Sequence, residues 1–163
     1  MHAEAIAFVY EQSRRFPIGH VLEIGGLAVN GNIRHLVPHK SWHCVDIVPG
    51  PSVDEVADAA DYIPTKNYDL VVCLEVFEHT WRWREIIPVM YKAVSDQDGN
   101  VLISAACEPR APHGAYGATD PEPHEWYQNV SPNELKDELD LYFSKVSIEV
   151  LPRGDVRAVG QLR

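Results

Sequence analysis

The chain has 163 residues, of which 45% are hydrophobic and 23% charged, and it carries a formal net charge of −10. This length fits one domain over residues 1–163 with a real hydrophobic core, and no apolar run reaches the roughly 20 residues of a membrane-spanning helix. The acidic balance disfavours a broad phosphate-binding surface, and with it a nucleic-acid partner.

The start, Met1-His2-Ala3-Glu4, lacks the basic and apolar regions of a signal peptide, so a cytoplasmic protein is expected. Residues 3–15 carry Ile6, Val9 and Tyr10 at helical spacing and predict a leading helix that Phe16-Pro17 ends. Val21-Leu22-Glu23-Ile24 reads as a short buried strand that breaks into Gly25-Gly26. Paired glycines let the backbone turn where a side chain would obstruct it, as in nucleotide-binding loops, although they also serve plain turns. A short helix is expected near residues 32–36, closed by Pro38, and the turn at Asn30-Gly31 precedes it. Residues 42–46 form a second strand ending on Asp46, and residues 53–56 a short third one.

Residues 68–74 are apolar and β-branched throughout, as a strand covered on both faces should be, and are placed at the centre of a sheet. A helix over residues 81–95 sets Ile86, Ile87, Met90 and Val94 on one side, with Pro88 as a defect or early-turn residue. The Asp96-Gln97-Asp98-Gly99-Asn100 turn leads into a buried strand over residues 101–104. Between residues 105 and 130 the pattern lapses among prolines and glycines, and loops this long in a compact domain are commonly functional. Ser131-Pro132-Asn133-Glu134 is a capped helix start. Residues 146–150 and 156–160 alternate around Pro152-Arg153-Gly154-Asp155 and predict an antiparallel hairpin. Cys44, Cys73 and Cys107 are odd in number and far apart, which reads as buried thiols.

Three strands end on or beside an acid: Glu23, Asp46 and Glu75. In a doubly wound sheet such ends face one crevice, and an acid after the second strand can accept both hydroxyls of a ribose. With these residues the sequence resembles the class I S-adenosylmethionine-dependent methyltransferases over essentially its whole length. Val21-Leu22-Glu23-Ile24-Gly25-Gly26 is similar to the family's first motif, His43 to Asp46 to its second-strand acid, and Asp58-Ala59-Ala60-Asp61 to its adenine-side motif. The run Tyr68-Asp69-Leu70-Val71-Val72-Cys73-Leu74-Glu75-Val76-Phe77-Glu78-His79 resembles the fourth-strand motif of small-molecule members, and the terminal hairpin fits the reversed last strand.

The resemblance implies an α/β, Rossmann-like three-layer sandwich, with a mostly parallel seven-stranded sheet and a C-terminal antiparallel hairpin. It implies S-adenosyl-L-methionine as cofactor. Glu23 and the backbone of Gly25, Gly26 and Leu27 would hold the methionine moiety, with Glu75 near it. Asp46 would hold the ribose, Asp58 and Ala59 would meet the adenine, and Ile47 would pack on its ring. Leu27 and Val29 stand where many members have further glycines, so the loop is bulkier. A dinucleotide oxidoreductase is disfavoured, because the loop lacks G-x-G-x-x-G.

The implied activity is methyl transfer to a small-molecule acceptor, and the alternative is a non-catalytic relative that keeps the fold for cofactor binding or as a scaffold. Oligomeric state is left open. Candidate bases are His79, after the fourth strand, and His113, in the long segment with Tyr116, Asp120, His124, Glu125, Trp126 and Tyr127. His113, His124 and Glu125 have no H-E-x-x-H or other tight ligand spacing, so no metal is expected. An Asn-Pro-Pro-Tyr or Asp-Pro-Pro-Tyr sequence, which in the resembling family marks methylation of exocyclic amines, is absent after the fourth strand; Glu75-Val76-Phe77-Glu78 stands there.

Overall fold

A computed structural model of the chain describes residues 3–29, 31–94 and 98–162. Met1, His2, Asn30, Ser95, Asp96, Gln97 and Arg163, which entered the sequence expectations, lie outside the described residues. Seven strands form one sheet: β1 (His20–Ile24), β2 (Ser41–Asp46), β3 (Glu55–Val56), β4 (Leu70–Leu74), β5 (Asn100–Ala106), β6 (Lys145–Leu151) and β7 (Asp155–Gln161). Their order is β3-β2-β1-β4-β5-β7-β6. The first five are parallel, whereas β7 runs antiparallel to both β5 and β6. The expected α/β sandwich with a terminal hairpin is thus present, and the apolar β4 is the central strand.

The two faces are covered unequally, and the reason lies in strand alternation. Leu22, Ile24, Val71, Cys73, Val101 and Ile103 share one core with Ile86, Ile87 and Met90 of α2 (Trp83–Ala93) and Leu135 and Leu139 of α3 (Pro132–Asp140). Val21, Trp42, Cys44, Leu70, Val72 and Leu102 face the other way, toward Phe8 and Val9 of α1 (Ala3–Ser13). The predicted inner stripe of α1 is rotated: Ala5, Phe8 and Val9 are buried, while Tyr10 turns to solvent beneath the Arg14 guanidinium.

Residues 32–36 do not form the expected helix. Asn32 Oδ1 accepts the Arg34 backbone N–H at 2.6 Å, a side-chain turn that competes with helical bonding, and Pro38 stops any extension. The segment makes a single turn instead, and its Ile33 and Val37 fill the core beside α1. Pro88 proves an interior residue of α2. Ser131 caps α3 as expected, its hydroxyl accepting from the Glu134 N–H at 3.4 Å. All three cysteines are free and buried.

Candidate functional site

The strand order reverses between β1 and β4, and this opens a crevice at their carboxyl ends. A cleft of about 360 Å³ lies there, with walls that include Gly25, Leu27, Asp46, Ile47, Asp58, Ala59, Glu75 and His79. A second cleft of about 450 Å³ shares Gly25, Leu27, Val29, Glu75 and His79 and extends along Arg110 and His113. The loop after β1 is built for close approach. Gly25 has a φ of 72°, and a Cβ added there would stand 2.1 Å from Val76 Cγ2. Its N–H donates to the Val45 carbonyl at 2.8 Å, which ties the turn to β2.

Asp46, at the end of β2, organises the same loop from the other side. Its Oδ2 accepts the Leu27 N–H at 3.0 Å and its Oδ1 the Val48 N–H at 3.1 Å. Each carboxylate oxygen keeps a second lone pair for a ligand hydroxyl. The Leu27 side chain lies across Gly50, where a Cβ would meet it at 2.3 Å. Leu27 and Val29 both line the cleft, so the bulk expected of this loop forms part of its wall.

At the far end, Asp58 Oδ1 accepts the Ala60 N–H at 2.9 Å, while its Oδ2 accepts from Arg82 Nη1 at 2.9 Å. Arg82 also bonds Asp61 and Glu85, and these carboxylates, Asp61 first, hold its pKa above the ordinary value. One guanidinium thereby fastens the acidic connector to the start of α2. Ile47 and Trp81 line the cleft, 62% and 66% exposed, and present apolar surface there.

Glu75 follows β4 in a left-handed conformation, φ 57°, which a non-glycine residue adopts at a cost. Its Oε1 accepts from Ser104 Oγ at 2.8 Å and its Oε2 from Arg110 Nη1 at 3.2 Å. Arg110 also pairs with Asp155, so it joins the long loop to the ends of β4 and β7. From that loop Ala115, Tyr116 and Trp126 come over the first cleft, as a cover segment should.

Glu23 and Gly26 stand apart from the other expected cofactor residues, for neither lines either cleft. The Glu23 side chain points into the core on the α1 side, where its Oε2 accepts from Trp42 Nε1 at 2.8 Å. Gly26 lies over it, because a Cβ there would stand 2.5 Å from Glu23 Cδ. Burial pushes the Glu23 carboxyl up to about 7 against the pull of the Trp42 bond. This residue supports the loop from beneath.

His79 and His113, the two candidate bases, do meet. Their rings pack edge to face with centroids 5.1 Å apart, and the Tyr127 ring contacts both. Burial, and then the charge of His113, push His79 down to about 4, so its imidazole is neutral near pH 7. Glu78 beside it is fully buried, and burial followed by the Glu75 charge pushes its carboxyl up to about 8. Contrary to the expectation from spacing, a set of potential metal ligands does converge. It is Glu78, His79 and His113, not His113, His124 and Glu125.

No family model and no curated protein matches the chain in sequence. Solved structures do match. An S-adenosylmethionine-dependent methyltransferase from Clostridium acetobutylicum superposes with a TM-score of 0.71 over 99% of this chain and 92% of its own, at 9% identity. The DhpI complex with SAH gives 0.67 over 96% and 83%, at 18% identity. The chain has the class I S-adenosylmethionine-dependent methyltransferase fold. A third structure of this fold, the N-methyltransferase NodS from Bradyrhizobium japonicum with S-adenosyl-L-homocysteine, gives 0.63 over 96% and 86%, at 14% identity.

Within the methyltransferase fold, the structure brings Gly25, Leu27, Asp46, Ile47, Asp58, Ala59, Glu75 and His79 to one cleft. Arg110 escaped the sequence reading, because its carboxylate partners, Glu75 and Asp155, lie 35 and 45 residues away in the chain. Trp42 under Glu23 had a legible signal. Glu23 is in register with Cys44, so Trp42, two residues earlier, shares its face.

Proposed function

We propose that this chain, as one methyltransferase-like domain, binds S-adenosyl-L-methionine in the crevice between β1 and β4 and transfers its methyl group to a small-molecule acceptor. The observation that carries the reading is Asp46, a carboxylate in the cleft wall at the end of β2 that also fixes the Leu27 N–H of the glycine loop. The residues present fit the cofactor. Asp46 offers acceptor capacity to two ribose hydroxyls, Asp58, Ala59 and exposed Ile47 offer an edge and an apolar face to adenine, and Gly25 keeps the floor low. The solved complexes of DhpI and NodS with SAH, on the same fold, support this choice.

When bound, the cofactor supplies a methyl group already activated on a sulfonium. The chain's own contribution is alignment and exclusion of water. Glu75, which lines the cleft with Gly25 and Leu27, would accept from the methionine ammonium, its carboxylate being held by Ser104 Oγ and Arg110. Tyr116 and Trp126 of the long loop cover the cleft. His79 and His113 border the acceptor side, where a neutral imidazole at His79, with no metal on it, can take a proton that the acceptor loses.

The test is Asp46→Ala, titrated calorimetrically with S-adenosylhomocysteine. Losing a charged acceptor, together with the Leu27 anchor, should weaken binding about tenfold or more. Affinity equal to that of the unaltered chain would put the ribose elsewhere.

A further inference from the structure

Beside the acceptor end of the cleft lies a cluster that methyl transfer uses only in part. Glu78 belongs to the single 3-10 turn, Phe77–His79, that follows β4, and it is buried completely. Neither of its carboxyl oxygens accepts a hydrogen bond of ordinary geometry among the described residues, although the Glu78 and Ala106 backbone groups lie near enough to lower its pKa, and the buried Nδ1 of His79 has no partner there either. Buried polar atoms are ordinarily paired, so two neighbouring residues left this way in a packed core need a reason. The long loop delivers His113 to the same point. One ligand atom from each of Glu78, His79 and His113 lies within 4.8 Å of the others. Tyr127 closes one side, its ring centroid 5.5 Å from that of His79 and 5.0 Å from that of His113.

We propose that Glu78, His79 and His113 form a binding site for one divalent transition-metal ion, with zinc the reference case. Two imidazoles and one carboxylate are a donor set suited to zinc and its first-row neighbours, and three protein ligands leave a position open for water or a ligand. Magnesium and calcium, which take oxygen ligands, are poorly matched by a set with one carboxylate. The Ala111 carbonyl, which can only accept, faces His113 Nδ1 at 3.4 Å, an arrangement that suits a proton on that nitrogen and metal binding through Nε2. Tetrahedral ligands about 2 Å from zinc stand roughly 3.4 Å apart, so binding draws the three groups together by about an ångström. His113, on an irregular segment, can supply that movement. The nearest cation, Arg110, is paired with Glu75 and Asp155, which offsets its charge at the site.

The proposal does not rest on cofactor binding and is tested without it. The full chain, stripped with EDTA, is titrated with zinc chloride by calorimetry, and bound metal is counted by mass spectrometry after desalting. One equivalent should bind at micromolar Kd or tighter. Glu78→Gln and His113→Ala should each weaken binding tenfold or more, while His124→Ala, on the exposed part of the same loop, should leave it unchanged. Glu78→Gln alters the core, so its fold is checked by circular dichroism. His113→Ala, at a partly exposed position, decides the matter if that variant does not fold. Absence of stoichiometric binding, or binding that survives the substitutions able to fold, overturns the proposal and leaves the methyl-transfer reading standing.

Discussion

Glu23, expected from the resemblance to hold the methionine moiety, bonds Trp42 below the glycine loop. Its folded pKa, raised by burial to about 7 from an ordinary 4.5, means that the folded chain holds a proton the unfolded chain has released. Its favourable contribution is therefore full below about pH 4.5 and is lost as pH rises through 7. Glu78, raised to about 8, adds a loss in an overlapping window, whereas His79, lowered to about 4 from 6.5, adds a gain as pH rises between those values. Comparison with Glu23→Gln isolates the first effect. Measured by urea unfolding, the variant should gain on the parent by about 2–3 kcal/mol between roughly pH 4.5 and 7. A difference independent of pH would mean that Glu23 ionises as freely in the folded chain as in the unfolded one. At this scale the sequence was legible where an acid ends a strand, as for Asp46, and where the resemblance reached, as for Asp58, both of which line the cleft. It was opaque where partners meet across a loop without period, as for Arg110 with Glu75 and Asp155, and for His113 with Glu78 and His79.

The element that decides the cleft is the turn after β1. Its first glycine is required twice, by a left-handed φ and by the 2.1 Å approach to Val76. Gly25→Ala should cost about 1–3 kcal/mol for the backbone alone, with more from the clash, and should weaken S-adenosylhomocysteine binding as the turn shifts. A melting temperature and an affinity equal to those of the parent would contradict this. Strands, α2 and α3 were readable because apolar runs, helical spacing and the Ser131 cap are local signals. The segment after the glycine loop misled, because Ile33 and Leu36 have helical spacing whereas the Asn32 side chain and Pro38 impose a turn. Its apolar residues still reach the core, so burial was legible there even though conformation was not.

Over the whole molecule, the sheet order β3-β2-β1-β4-β5-β7-β6 sets the acids after β2 and β4 on either side of one opening. Three helices cover this sheet, α1 with the turn at residues 33–37 on one face and α2 with α3 on the other. The 25 residues between β5 and α3 are spent on a cover that brings Tyr116, Trp126 and His113 to the clefts. Among the described residues no helix is long and apolar enough to cross a membrane. The fold follows from local patterning and from resemblance, while the crowding of the loop by Leu27 and Val29 bears on function alone. Whether that loop admits the cofactor is the central claim, and calorimetric titration of the unaltered chain with S-adenosylmethionine and S-adenosylhomocysteine tests it most directly. Saturable binding of both ligands to a single site is the predicted result; no heat with either at millimolar concentration would contradict it.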